Sequence, residues 1–154
     1  MNDVLLGLAW LGVFAPVALG AVGSVIGCAL GGQAALGAML DTEAGYGRFI
    51  GISVLPSTFV IYGIVLMFAF QAQARPETGV ALAAIGSLAG VAFLLTASWQ
   101  GRLCVAAINS VKEKPELFGL SITPIAIVEG FGVFVFIFAL VLSGSLVTGG
   151  GAAL

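Results

Sequence analysis

Charge is what this sequence has least of. Only 8% of its 154 residues are Asp, Glu, Lys or Arg, against roughly 25% in ordinary soluble domains. With 60% hydrophobic residues, the chain lacks the polar surface to cover a globule in water, which excludes a soluble enzyme. Five Lys+Arg against seven Asp+Glu leave no basic patch, so nucleic acid is excluded as a partner. Histidine is absent, and with it the usual neutral-pH acid–base group and the commonest metal ligand. The two cysteines, Cys28 and Cys104, cannot make a metal site alone. Both lie in apolar stretches and read as small buried hydrophobes rather than a redox pair. No basic residue precedes the first apolar run, so Met1-Asn2-Asp3 reads as the start of a retained transmembrane helix and not as a secretory signal.

What is present is apolar sequence in four blocks. A helix needs about 20 apolar residues to cross roughly 30 Å of hydrocarbon. Stretches from about Val4 to Gly32, Phe49 to Phe70, Gly79 to Gly101 and Leu117 to Val147 qualify. The expected fold class is an all-α integral membrane protein with four transmembrane helices. Eleven of the twelve charged residues fall at the N-terminus or between these spans: Asp3; Asp41, Glu43 and Arg48; Arg75 and Glu77; Arg102, Lys112, Glu113, Lys114 and Glu116. The excess of Lys and Arg in the first and third connections places loops 32–48 and 102–116 in the cytoplasm and both termini outside.

The chain also repeats itself. Gly51-Ile52-Ser53-Val54-Leu55-Pro56 matches Gly119-Leu120-Ser121-Ile122-Thr123-Pro124 at a separation of 68, and Gly20, Gly27 and Gly31 match Gly90, Ala97 and Gly101 at 70. The expected organisation is two tandem helical hairpins, residues 1–74 and 75–154. Glycine and alanine at four-residue spacing give the first and third helices a smooth stripe for close backbone approach. The second and fourth carry most of the phenylalanines, among them Phe59, Phe68, Phe70, Phe131, Phe134, Phe136 and Phe138. Hairpins with one slim and one bulky helix are wedges, and wedges side by side close into a ring. A compact four-helix bundle would use the same small residues.

The twelfth charge is Glu129, inside the fourth span; the repeat puts Ile61 at the equivalent place in the first hairpin. A charged side chain near the bilayer centre costs about 3 kcal/mol or more and marks ion pathways. No Lys or Arg lies within any span to pair with it, so it must protonate, bind a cation or meet a basic partner on another chain. Few polar groups can serve it. Thr58 and Tyr62 share a helix face with Leu55 and Phe59 through their i, i+3, i+4, i+7 spacing, and Gln100 brings an amide from late in the third span. Ser57 is one residue off that face. Thr58 and Ser57 could equally bond back to their own helix. Gln33, Gln71 and Gln73 lie near span ends and read as interfacial. Pro56 and Pro124 each free a carbonyl one turn earlier, and irregular backbone within a membrane often lines a site.

Taken together, the duplicated hairpins, the stretches Leu55–Gly63, Gln100-Gly101-Arg102 and Pro124–Gly130, and the lone Glu129 resemble the proteolipid (K or c) subunit of V-type ATPases over nearly the whole chain. The resemblance implies a ring of copies turning in the cell membrane against a stator subunit, whose Arg forces each glutamate to release its ion. A central-stalk subunit would dock on the cytoplasmic loops, lipid would surround the ring, and ATP would be hydrolysed in a separate soluble sector. No phosphate-cradling motif occurs in this chain, and no covalently bound cofactor is expected. Sodium-carrying members of the family surround the ion with groups that map onto Leu55, Thr58, Gln100 and Glu129, with the tyrosine at Tyr62. A glutamine of theirs beside the threonine is Phe59 here. The loss of that oxygen favours H+ as the transported ion, with Na+ as the alternative and Ser57 or a water as the stand-in oxygen. A stand-alone four-helix transporter for a small solute is the competing reading, disfavoured by the lack of further charges inside the spans.

Overall fold

The computed structural model describes residues 1–149, and no strand occurs among them. Helices α1 (Asn2–Leu40), α4 (Gly79–Glu113) and α5 (Phe118–Gly149) are continuous, while the second span is built from α2 (Tyr46–Ser53) and α3 (Thr58–Gln71) with a 3-10 turn over Leu55–Ser57 between them. All four spans are long and apolar enough to cross a membrane. Residues 150–154 of the expected second hairpin lie outside the described residues.

The helices outrun the limits expected from hydropathy, and this corrects the loops. Segment 32–48 is not a connection: α1 continues to Leu40, and only Asp41 to Gly45 are non-helical before α2. Segment 102–116 is helix up to Glu113, followed by Lys114 and a 3-10 turn over Pro115–Leu117. The end of an apolar run marks where water begins, not where a helix stops. Gln33 to Leu40 contains no proline and is rich in Ala and Leu, the best helix formers. The true stops are local. Thr42 turns its hydroxyl back to the Ala38 carbonyl at 2.9 Å, and Gly45 takes the only positive φ among the described residues, 86°. At 39 residues, α1 is about 58 Å long at 1.5 Å rise per residue, so nearly half of it stands outside a 30 Å hydrocarbon core.

The small-residue stripes bring α1 and α4 into backbone contact along most of their length. A Cβ added to Gly86 would strike the carbonyl oxygen of Gly12, and one added to Gly101 would strike the Cα of Gly27. On its other flank α1 receives α3, where Gly63 lies against the Pro16 carbonyl. Helix α5 packs on α4 and meets α3. Of the bulky residues, Phe59 and Phe70 are fully buried, whereas Phe68, Phe131, Phe134 and Phe138 face outward, toward lipid or another chain.

The repeated Gly-x-Ser-x-x-Pro sequence folds in two ways. Around Pro56 the helix breaks into the 3-10 turn; around Pro124 it does not, and α5 runs through. The break exposes carbonyls that other groups satisfy. Ser24 of α1 donates to the Pro56 carbonyl at 2.8 Å, and the Ser57 N–H closes on the Val54 carbonyl at 3.0 Å. At the loop end of the molecule, Lys112 pairs with Asp41 at 2.7 Å, joining the end of α4 to that of α1.

The buried apolar residues form two separate clusters. One gathers Val13, Phe59, Leu66, Leu82, Phe93 and Ala97 among others, and the other Ala35, Phe49, Ile52, Cys104, Ile108 and Ile125 among others. Along the chain, Gln100 lies between Ala97 and Cys104, the Pro56 break between Ile52 and Phe59, and Glu129 just past Ile125. The polar groups thus occupy the gap between two greasy blocks.

Candidate ion-binding site

Three helices bring their polar side chains together in that gap. The Tyr62 hydroxyl, from α3, donates to Oε1 of Glu129 at 3.2 Å. The amide Nε2 of Gln100, from α4, donates to Oε2 at 3.4 Å. Each carboxylate oxygen therefore has one neutral donor, and among the described residues Glu129 makes no ion pair. Gln100 is completely buried, and its Oε1 has no hydrogen-bond partner. A buried acceptor left empty costs about 1–3 kcal/mol, and Gln73 Oε1 is left empty in the same way among the described residues.

Two of the sequence candidates sit together beside this centre without touching the carboxylate. Thr58 donates its hydroxyl proton back to the Leu55 carbonyl of its own span at 3.2 Å, which takes that proton away from the carboxylate while leaving the oxygen lone pairs free. Ser57 makes no side-chain hydrogen bond among the described residues. Of the span-end amides, Gln73 reaches Ser143 of α5 at 3.4 Å and bridges the two hairpins at the opposite end of the molecule from the Lys112–Asp41 pair.

The aromatic setting of Tyr62 escaped the sequence reading. Its ring stands 5.7 Å from that of Phe59 at 89°, 6.2 Å from Phe93 and 5.3 Å from Phe136. The Phe59 ring in turn fills the place where a side chain at Gly132 would be. Positional spacing could have pointed to these residues: Gly132 and Phe136 follow Glu129 by three and seven residues, on the same face of α5.

Four helices long and apolar enough to span a membrane, with one carboxylate held by neutral donors inside the fourth, define a multi-pass membrane protein with an ionisable group within its spans. The sequence profile of the ATP synthase C-subunit family matches residues 11–70 and again 80–142, and this chain belongs to that family. The two matches also establish the internal duplication. A curated relative, A-type ATP synthase subunit K of Methanocaldococcus jannaschii, is 30% identical over 140 residues, 86% of this chain. The chain spans 62% of that relative's length.

Proposed function

We propose that this chain is the ion-carrying rotor subunit of a rotary ATPase, and that Glu129 takes up and releases one ion per passage of the stator. Copies of the chain form the ring. The end carrying Arg48, Lys112 and Lys114 faces the cytoplasm and meets a central-stalk subunit, and the termini face outward. The turn at Arg75 separates the ion-free hairpin 1–74 from the carrying hairpin 75–154. ATP is hydrolysed by other subunits.

One observation carries this reading: the one carboxylate in the interior of a span, Glu129, is flanked by a tyrosine donor and by an amide whose oxygen, Gln100 Oε1, is buried and unfilled among the described residues. Ionised, Glu129 accepts both donors and cannot face lipid cheaply. Neutralised, it can. Rotating the Gln100 amide end for end would present Oε1 to a carboxyl O–H, giving the loaded state an acceptor. Motion away from the stator is therefore permitted only after loading, and this coupling is the mechanism.

The proton is the ion favoured. Sodium is a hard cation that needs several oxygens. Here Phe59, fully buried, supplies no oxygen, which leaves one oxygen fewer for a cation.

In the assembled complex, dicyclohexylcarbodiimide should modify Glu129 and stop ATP-driven pumping, and Glu129→Gln should abolish transport while the ring still assembles. Normal pumping by that variant would end the proposal. Protection from the label by millimolar sodium at fixed pH would leave the rotor role standing and replace the proton with sodium.

A further inference from the structure

We infer that Phe59 and Gly132 are a positioning pair for the hydrogen bond between Tyr62 and Glu129. The bare backbone at Gly132 receives the Phe59 ring, and the seated ring fixes where the phenol of Tyr62 lies. The functional meaning of this pair rests on the reading of Glu129 as the loading group.

Phe59 precedes Tyr62 by one turn on α3, and Gly132 follows Glu129 by one turn on α5. The four residues thus make two contacts between the same two helices, one polar and one apolar. The apolar contact is the tighter. A Cβ at Gly132 would clash with Cε1 of Phe59 and lie 2.9 Å from Cζ, so the ring packs directly on the bare backbone of α5. Phe59 is fully buried and its ring lies 6.0 Å from that of Phe93, so the ring is packed on more than one side. Its edge-on contact with Tyr62, with Phe93 and Phe136 on the other sides, restricts the phenol to the orientation that reaches Oε1. Close packing transmits small displacements. A methyl at Gly132 must therefore either push the ring into Tyr62 or push α5, and Glu129 with it, away.

Raman spectroscopy of the intact ring tests this directly. The chain has two tyrosines, so a Tyr46→Phe background leaves Tyr62 as the sole source of the tyrosine Fermi doublet, which reports how strongly a phenol donates. Glu129→Gln in that background supplies the reference spectrum for loss of the carboxylate acceptor. Gly132→Ala should move the doublet to that reference and slow ATP-driven transport about tenfold, the effect of one hydrogen bond to a charged group. Adding Phe59→Leu, which vacates the space the methyl needs, should return both toward the parent. An unchanged doublet in the Gly132→Ala ring, or a double variant no better than the single, would overturn the inference. If Gly132→Ala prevents assembly, Phe59→Leu alone decides: the freed phenol should shift the doublet, and an unshifted one counts against the pair. Transport by Glu129→Gln judges the functional reading separately, since the Raman comparison holds whether or not the ring pumps.

Discussion

Tyr62 and Glu129 sit 67 positions apart, in different hairpins, and their side chains meet at 3.2 Å. The proposed site therefore draws on both hairpins of one chain. The first hairpin has Ile61 where the second has Glu129, yet it supplies a donor that steadies that carboxylate.

Tyr62→Phe removes that donor while keeping the ring that Phe59, Phe93 and Phe136 enclose. A hydrogen bond to a charged group contributes about 1.5–3 kcal/mol. ATP-driven ion uptake into vesicles should fall about tenfold or more, with the ring intact on native gels. Unaltered uptake would show that the phenol is a bystander.

Glycines in this chain should divide sharply by what their Cα touches. Gly101→Ala directs a methyl into the Gly27 backbone and should destabilise the assembled ring by about 1–3 kcal/mol, read as a lower thermal dissociation temperature. Gly7→Ala meets nothing within 4 Å and should be neutral or raise stability by up to about 1 kcal/mol through helix propensity. Equal effects at the two positions would refute the close approach of α1 and α4.

Ser24→Ala leaves the Pro56 carbonyl, buried at the helix break, without its side-chain donor. We expect a loss of about 1 kcal/mol and faster amide exchange over residues 54–58, detected by hydrogen–deuterium exchange mass spectrometry. Exchange that speeds up elsewhere but not there would mean that the bond does not hold the break.

The Lys112–Asp41 pair is short, but its side chains are 28% and 58% exposed. Water and salt screen such a pair, and it adds little to stability. Lys112→Met should lower ring stability slightly at low salt and not at all at high salt, with transport unchanged. A loss that persisted at high salt would point to packing by the lysine stem instead.

Much of this architecture is legible in the residues. Twenty or more apolar positions in a row can only be spans, the offset of 68 exposes the repeat, and a solitary Glu129 in oil announces its own importance. The helix ends were not legible, because hydropathy records the solvent boundary while Thr42 and Gly45 set the structural one. The two proline motifs read alike and fold differently; the break at Pro56 is steadied by Ser24 of α1, a partner distant in sequence. The site was legible as a set of polar residues but not as a geometry. The pattern left open whether Thr58 would bond back to its own helix or serve the carboxylate, and it placed Phe59 on the Tyr62 face without pointing to Gly132. Its role beside Gly132 depends on the approach of two helices, which only the folded chain displays.

The glycine-to-glycine seam between α1 and α4 has a mechanical consequence. Two slender cylinders fused along most of their length bend far less than either would alone. In the proposed rotor, force arriving at Glu129 would reach this stiff beam through Gln100, on α4 itself, and the beam runs on to the Lys112–Asp41 pair. In a turning ring, torsional give would then reside in the α2–α3 strut with its break at Pro56, while the paired shaft delivers torque to whatever grips its far end.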